Sequence, residues 1–291
     1  MKILPRTPNL QFLLREAKVL KSSHRNGDTS ICATVGRFDT SFHGLNEQEI
    51  LDSRFSILDA QRVIARLYGF SSWNRLKKFV DRSVEGKSPS DIKLRNQVIN
   101  RYKELESLVK AYRSKQGDYK SKLDEYHELS LESTGFLQSA FERHGWPGPD
   151  VVGPDCVEAL AYVSGNAVFD ADYQDMSTRL MGEALPEGGI CASWYACLRD
   201  RYLVLSRQPS IFGTSFGAYI DDDGSFKLVE YDVVDPESLE KRRAQVGYES
   251  VEAERSRLAK QAIEDNWNQC TYEQCVKDFE NTSIKGGYQS P

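Results

Sequence analysis

Apolar residues recur at helical spacing through most of the chain, beginning near its start. Over 10–20 they fall at i, i+3, i+4, i+7 and i+10 and therefore share one face. This spacing predicts a helix that ends at Asn26-Gly27, where glycine favours a helix stop. Two short helical segments are predicted next, one capped by Asp28 and one near Asn46.

Two further helices are predicted to form a helical hairpin over residues 56–80. Ser56 and Asp59 have the spacing of an N-terminal capping box, and the apolar residues that follow share one face. Gly69 ends this helix, and Ser71 or Ser72 can cap the next one. The second helix turns four apolar residues inward: Trp73, Leu76, Phe79 and Val80.

A long amphipathic helix is predicted from Asp91 onward, after a linker at 84–90 that is rich in Gly, Pro and Ser. Gly117-Asp118 is expected to bend or split this helix. The helix fits either packing against its own protein or self-association as a coiled coil, although Tyr suits a dimer core less well than Leu. Both possibilities arise from a heptad-like seam, in which apolar or aromatic residues recur every seven positions: Val98, Leu105, Tyr112, Tyr119 and Tyr126.

Helical spacing continues through the second half of the chain and is interrupted once by a period of two. The alternation at 211–220 and 225–230, around the turn residues 221–224, predicts one β-hairpin. The last dozen residues are expected to be loose. Helices are predicted at 134–143, 155–164, 170–184, 191–206, 236–246 and 250–267.

These elements predict a mainly α fold. A small helical N-terminal module occupies residues 1–85, and residues 86–130 form a linker and a long connecting helix. Residues 131–270 form an α+β module with one β-hairpin, and residues 271–291 form a tail. Hydrophobic residues make up 40% of the chain and charged residues 28%, a globular mixture from which a core can be built.

The sequence carries no signature of a membrane-spanning or cofactor-dependent protein. No apolar stretch reaches the roughly 18 residues that a spanning helix needs, and charged residues interrupt the N-terminal segment, so we expect a soluble, cytoplasmic protein with reduced cysteines. The 6 cysteines include no CxxC pair, and no Walker loop, GxGxxG or HExxH motif occurs. We therefore expect no metal site and no cofactor.

Charge is distributed unevenly along the chain. Residues 1–88 carry 15 Lys and Arg against 9 Asp and Glu, whereas residues 89–291 carry 23 against 34. A basic segment of this kind can contact nucleic acid, or the two modules can attract each other. Arg75, Lys77 and Lys78 lie on the second helix of the hairpin, which makes nucleic-acid contact by the first module one hypothesis.

Residues 55–80, FSILDAQRVIARLYGFSSWNRLKKFV, carry a specific run of residues. Asp59-Ala60-Gln61, Tyr68-Gly69-Phe70 and Ser72-Trp73 fit a recurring pattern, and the segment resembles the helical leader found ahead of ankyrin repeats in many bacterial proteins. The repeats themselves are absent from this sequence.

A second set of motifs covers residues from about 130 to 255. It includes His144-Gly145-Trp146-Pro147, Asp200-Arg201 within 198–202, and Arg242-Arg243 ahead of Val246-Gly247. These residues resemble a bacterial domain family of unknown function, whose motifs are HGWP, DR, PQxYGTQ and RR. The resemblance implies a fold and a candidate surface, but no reaction.

Four polar positions depart from the pattern of that family. Asn166 and Val168 stand where the family has His and Asp, and Ser210 and Ser215 stand where it has Gln. If the family is catalytic, the resemblance implies that this member has lost the activity.

Polar residues within these motif segments are the candidate site residues. His144 follows a predicted helix end, where the helix dipole favours a charged imidazole, so it is a candidate general acid or base as well as a helix stop. Arg201 is a candidate anion-binding group, or it forms a structural salt bridge with Asp200. Arg242 and Arg243 are expected to pair with acidic residues at the surface or to bind. The full set of candidates is His144, Trp146, Gln174, Asp200, Arg201, Thr214, Arg242 and Arg243.

The functional prediction is a binding or interaction module with little or no catalysis, which acts on another protein or on itself. The altered polar positions and the heptad seam motivate it. The alternative is an enzyme on an anionic small molecule that uses His144 and Arg201. This alternative depends on one hypothesis, that His144, Gln174, Arg201 and Thr214 converge on one cleft.

Overall fold

The structure is a computed structural model that describes residues 4, 7–83, 88–114, 119–221, 223, 225–264 and 272–288. Within these residues the chain is mainly α-helical, with one antiparallel β-hairpin. This confirms the fold class predicted from the sequence. The predicted bend at Gly117-Asp118 and part of the predicted linker, 84–87, lie outside the described residues.

Side-chain caps begin several helices of the first module, among them the predicted capping box at Ser56. Asn9 accepts a hydrogen bond from the backbone N–H of Gln11 at 2.7 Å, and Ser56 and Asp59 form a reciprocal capping box. Gly69, at φ +81°, ends the first helix of the predicted hairpin. The helices are α1 (Leu10–Arg25), α2 (Cys32–Phe38), α3 (Glu47–Asp52), α4 (Ile57–Leu67) and α5 (Trp73–Arg82).

Two long helices, α6 (Ile92–Ser114) and α7 (Tyr119–His144), pack against each other. The helix predicted at 134–143 is the C-terminal end of α7, because helical structure extends back to Tyr119. Val98 and Leu105 of the heptad seam are fully buried within the chain. This half of the seam is therefore occupied by the protein's own helices and is not free for self-association. The side chains of Tyr112 and Tyr119 lie outside the described residues.

Two helices contact a short β-hairpin in the second half of the chain. We keep the name second module for this half, including the helix at 272–285, and the name first module for residues 7–83. Strand β1 (Phe216–Ile220) runs antiparallel to β2 (Phe226–Glu230), with Ala218 opposite Leu228. The first strand was predicted to begin at 211, but 211–215 is irregular. None of the helices that the structure describes is long and apolar enough to cross a membrane. The helices of this module are α8 (Pro149–Val152), α9 (Pro154–Asn166), α10 (Ala171–Ala184), α11 (Ala192–Leu205), α12 (Leu239–Gln245), α13 (Val251–Glu264) and α14 (Tyr272–Lys285).

The C-terminal segment up to Tyr288 is packed, in contrast to the loose tail expected from the sequence. Helix α14 contacts β1 and α11, and Tyr288 is buried with Val168 and Leu205 in a small apolar cluster. A Cβ atom at Gly286 would lie 2.7 Å from the carbonyl oxygen of Val168. The glycine therefore permits a close backbone approach here and does not mark a loose end.

The first module is docked directly on the second. Lys78 pairs with Glu187 at 3.2 Å, and Arg82 pairs with Asp150 at 2.6 Å. One apolar core cluster extends from Leu13 through both modules to Leu198. Of the two interpretations of the uneven charge, attraction between the modules is therefore the one with direct contacts, and Lys78 is engaged in it.

Gly247 is the point at which the backbones of the two modules approach most closely among the glycine contacts described. Its φ is +76°, and a Cβ atom there would lie against the carbonyl oxygen of Arg66 and 2.7 Å from the Cα of Gly69. Neither neighbour is the end of a flexible side chain, so the backbone itself would have to move. Gly27 has a similar φ of +72° with no atom near its Cβ position.

We expect Gly247→Ala to lower the free energy of unfolding by at least about 2 kcal/mol more than Gly27→Ala does. Both variants incur the cost of a left-handed alanine, about 1–2 kcal/mol, but only Gly247→Ala forces the modules apart. Denaturant titration of both variants measures the difference. Equal losses would show that the contact at Gly247 is not tight.

Glu158 is a half-buried carboxyl group on α9, and no hydrogen bond or ion pair reaches it from the described residues. Burial raises its pKa above the usual value of 4.5. Since the folded pKa exceeds the unfolded pKa, ionisation destabilises the fold. The penalty is absent below the unfolded pKa and grows as the pH rises through the folded pKa.

We therefore expect Glu158→Gln to stabilise the protein at pH 7 and to have little effect at pH 3.5. Thermal unfolding across this pH range measures the effect. Glu132→Gln is the matched control, because Glu132 is exposed on α7 and should show no such pH dependence. A destabilised Glu158→Gln at pH 7 would mean that the ionised carboxylate has a favourable partner.

Candidate functional site

A cavity of about 710 Å³ lies between α7, α9, α11, the β-hairpin, α13 and α14. Aromatic residues form much of its wall, including Tyr126, Phe169, Trp194 and Phe216. Polar groups reach it from several elements: His127, Asn166, Arg201, Thr214, Glu254, Arg257 and Lys285. The cavity is the place where the second module brings polar side chains from distant parts of the sequence together.

An irregular segment, 210–214, reaches the cavity at Thr214 and is held on one side by the carboxylate of Asp200. Oδ1 of Asp200 accepts hydrogen bonds from the N–H groups of Ile211 at 2.8 Å and Phe212 at 3.0 Å. Oδ2 accepts from the N–H of Thr214 at 2.9 Å and from its hydroxyl at 3.0 Å. Asp200 is fully buried. The donors replace the water that this carboxylate would otherwise need.

Arg242 and Arg243 hold the carbonyl groups of the same segment. Nε of Arg242 donates to the carbonyl of Ile211 at 2.8 Å. Nη1 of Arg243 donates to the carbonyls of Phe212 at 2.8 Å and Gly213 at 2.6 Å. We call Asp200, Arg242 and Arg243 the polar clamp. It satisfies both the N–H and the C=O groups of a segment that has no partner strand along most of its length.

The polar clamp corrects two expectations about these residues. Asp200 binds backbone N–H groups and not Arg201, since the guanidinium of Arg201 donates to the carbonyl of Gly165. Arg243 is not a surface residue but is fully buried, with its Nη2 at 2.6 Å from Oε2 of Glu254. A buried arginine needs this many partners, because each unpaired donor would carry a desolvation cost.

Arg201 is the candidate residue with unused binding capacity. Its side chain is half-buried and lines the cavity. Within the described residues, its only hydrogen-bond acceptor is the carbonyl of Gly165, and no carboxylate pairs with it. Guanidinium carries several N–H donors in a planar fork, so Arg201 can still bind a carboxylate or phosphate group inside the cavity.

Three of the four positions that depart from the family pattern line the same cavity. These are Asn166, Val168 and Ser215, whereas Ser210 bonds to the carbonyl of Asp232 instead. Asn166 is held in place, since its Nδ2 donates to the carbonyl of Tyr162 at 2.8 Å. Most of the positions that the resemblance singles out as different therefore lie at one cavity.

His144 and Trp146 lie elsewhere, at a shallow pocket of about 440 Å³ beside α5 and α10. Nε2 of His144 is 3.3 Å from Oδ2 of Asp91, which caps α6 through the N–H of Leu94. Trp146 is buried against Phe141. His144 therefore ends α7 and links this end to the start of α6, as expected of a helix stop.

The expected convergence of His144, Gln174, Arg201 and Thr214 is not observed. Arg201 and Thr214 line the large cavity, but His144 lines the other pocket. Gln174 is fully buried and donates to the carbonyls of Ser164 and Ala167, both at 2.8 Å. Its amide ties the end of α9 to α10 and faces neither space.

Several cavity residues were not anticipated from the sequence. His127 has a lowered pKa because of burial and the nearby charge of Lys285. Burial raises the pKa of Glu254, although Arg243 opposes the shift. Cys197 has a raised pKa through burial, so its thiol is protonated at neutral pH and is a poor nucleophile. The apolar spacing of 250–267 predicted the helix that carries Glu254 and Arg257, but it did not show that these two charged side chains face the cavity.

Comparison with known proteins gives a match for the second module alone. Residues 124–266, just under half of the chain, match the model of a family of unknown function (DUF6624). This is consistent with the resemblance of residues 130–255 to a domain family of unknown function. No curated protein and no solved structure matches the chain. The resemblance of residues 56–80 to the leader segment stays a prediction.

We expect Asp200→Asn to lower the free energy of unfolding by about 3 kcal/mol, because an amide nitrogen would face backbone donors and the buried charge-assisted bonds would be lost. Thr214→Val is the graded control. It removes one hydroxyl bond to the same carboxylate and should cost about 1 kcal/mol. Denaturant titration compares the two. A smaller loss for Asp200→Asn than for Thr214→Val would contradict the role of the carboxylate.

Proposed function

We propose that the second module is a ligand-binding module with little or no catalysis. Its ligand is a small molecule that joins an anionic group to an aromatic or apolar body. The observation that carries this proposal is the guanidinium of Arg201, which lies in an aromatic-walled cavity and has one backbone acceptor among the residues that the structure describes.

The size and lining of the cavity support a small-molecule ligand. Its volume of about 710 Å³ falls in the range of roughly 300–1,000 Å³ found for such sites. Phe169, Trp194 and Phe216 offer apolar surface, and Arg201 offers a fixed polar contact. In binding pockets, apolar surface typically provides affinity and a few polar groups fix the orientation of the ligand.

The same surroundings argue against strong catalysis. His144, the residue expected to act as acid or base, faces another pocket and is paired with Asp91. The thiol of Cys197 is protonated, and Asn166, Val168 and Ser215 replace groups that the family pattern has as His, Asp and Gln. A cavity that keeps its arginine while its other polar positions change is better suited to binding than to a reaction.

The proposal is tested with three matched probes, naphthyl phosphate, naphthoate and naphthol, by isothermal titration calorimetry on the full chain. We expect wild type to bind both anions at least about tenfold more tightly than naphthol, since one charge-assisted contact is worth this much. Arg201→Gln should abolish the preference. Arg179→Gln, which removes an exposed arginine paired with Glu183 on α10, should keep it.

Two outcomes would contradict this function. Absence of saturable binding of either anion would remove the anionic ligand. Release of inorganic phosphate from naphthyl phosphate, lost in Arg201→Gln, would instead support the enzyme alternative.

A further inference from the structure

A chain of alternating charges leads from the first module to the wall of the cavity. Arg37 on α2 lies 3.4 Å from Glu249, and Glu249 lies 2.6 Å from Arg257 on α13. Arg257 is in turn 3.2 Å from Glu254. Glu254 completes the chain at 2.6 Å from Arg243 of the polar clamp.

The far end of this ion-pair chain belongs to the cavity. Arg257 and Glu254 both line it. The hydroxyl of Tyr248, another lining residue, donates to Oε1 of Glu254 at 3.2 Å. Arg243 binds the carbonyls of Phe212 and Gly213, immediately before Thr214 in the wall. A displacement of Glu254 would therefore reach both α13 and the 210–214 segment.

The inner side chains of the ion-pair chain are largely shielded from water. The side chains of Glu249, Glu254 and Arg243 are 15%, 4% and 0% exposed. Charges with so little water around them depend on their protein partners, and losing one partner obliges the others to move or to take up water. Within the described residues, Glu249 has two arginine partners, one from each module, so the first module contributes directly to where Arg257 lies.

We propose that Arg37 and Glu249 are positioning residues of the cavity, through which the docked first module sets the place of Arg257 and α13. The consequence for ligand affinity rests on the proposed function, whereas the effect on the cavity wall does not. The first module is then part of the binding apparatus of the second and not only its neighbour.

A second ion pair between the modules serves as a control, because it joins them at a place away from the cavity. Arg82 of the first module pairs with Asp150 on the second, and its side chain is 31% exposed against 28% for Arg37. Asp150 does not line the cavity. If these pairs only hold the modules together, Arg37→Gln and Arg82→Gln should have the same effects on the cavity wall.

Hydrogen–deuterium exchange of the full chain tests the proposal without a ligand. In Arg37→Gln, we expect amides of 210–216 and 251–264 to exchange about two- to fivefold faster than in wild type, the change that loss of one partly exposed ion pair produces. Arg82→Gln should leave these two segments unchanged. Arg37→Lys, which keeps a charge beside Glu249, should restore most of the protection. Unchanged exchange in Arg37→Gln, or equal acceleration in both Gln variants, would overturn the proposal.

Binding of naphthyl phosphate provides the second readout. We expect its affinity to fall about two- to fivefold in Arg37→Gln and to stay at the wild-type value in Arg82→Gln. If wild type does not bind the probe but the exchange difference is present, the proposed function fails while the positioning of the wall by Arg37 is upheld. If wild type binds and exchange does not differ between the variants, the positioning fails and the proposed function stands.

Discussion

The second module depends on the polar clamp, in which buried charges satisfy an irregular backbone segment from both sides. Asp200 takes its N–H groups, and Arg242 and Arg243 take its C=O groups. An irregular segment can be buried only when its polar groups have partners, and here charged side chains provide them in place of a neighbouring strand. The segment ends at the cavity, where Thr214 and the residue after it, Ser215, belong to the lining.

The polar clamp explains why three separated sequence motifs occur together. The acidic residue of the Asp200-Arg201 motif, the loop around Gly213 and the Arg242-Arg243 pair are distant along the chain but meet at one place. Their main task is structural. Arg201, next to the acidic member, is the exception, since it turns into the cavity. The proposed ligand contact therefore comes from Arg201, the sequence neighbour of a residue whose contacts are structural.

Local signals predicted the helices well because caps and apolar stripes act over a few residues. Ser56 and Asp59 form the capping box that their spacing predicts. The alternation after Pro209 gives a β-hairpin of 216–220 and 226–230, but 211–215, also predicted as strand, is irregular because its polar groups bind buried side chains. The candidate site was harder to predict, because convergence depends on tertiary packing. His144 and Arg201 have equally suggestive contexts in the sequence, yet they face different spaces. The packed segment that ends at Tyr288 was not predicted, because Gly286-Gly287 has the same sequence whether it permits a close backbone contact or lies in a loose tail.

Whether Asp200 and Arg243 hold the 210–214 segment between them is tested by a double-mutant cycle of Asp200→Asn and Arg243→Met, measured by denaturant unfolding. Asp200 binds N–H groups and Arg243 binds C=O groups of the same segment. If either variant releases the segment, the second substitution should cost less free energy of unfolding than it does in wild type. The double variant is expected to lose at least about 1 kcal/mol less than the sum of the single losses. Additive losses would show that the two residues stabilise the protein independently and that the 210–214 segment is not held between them.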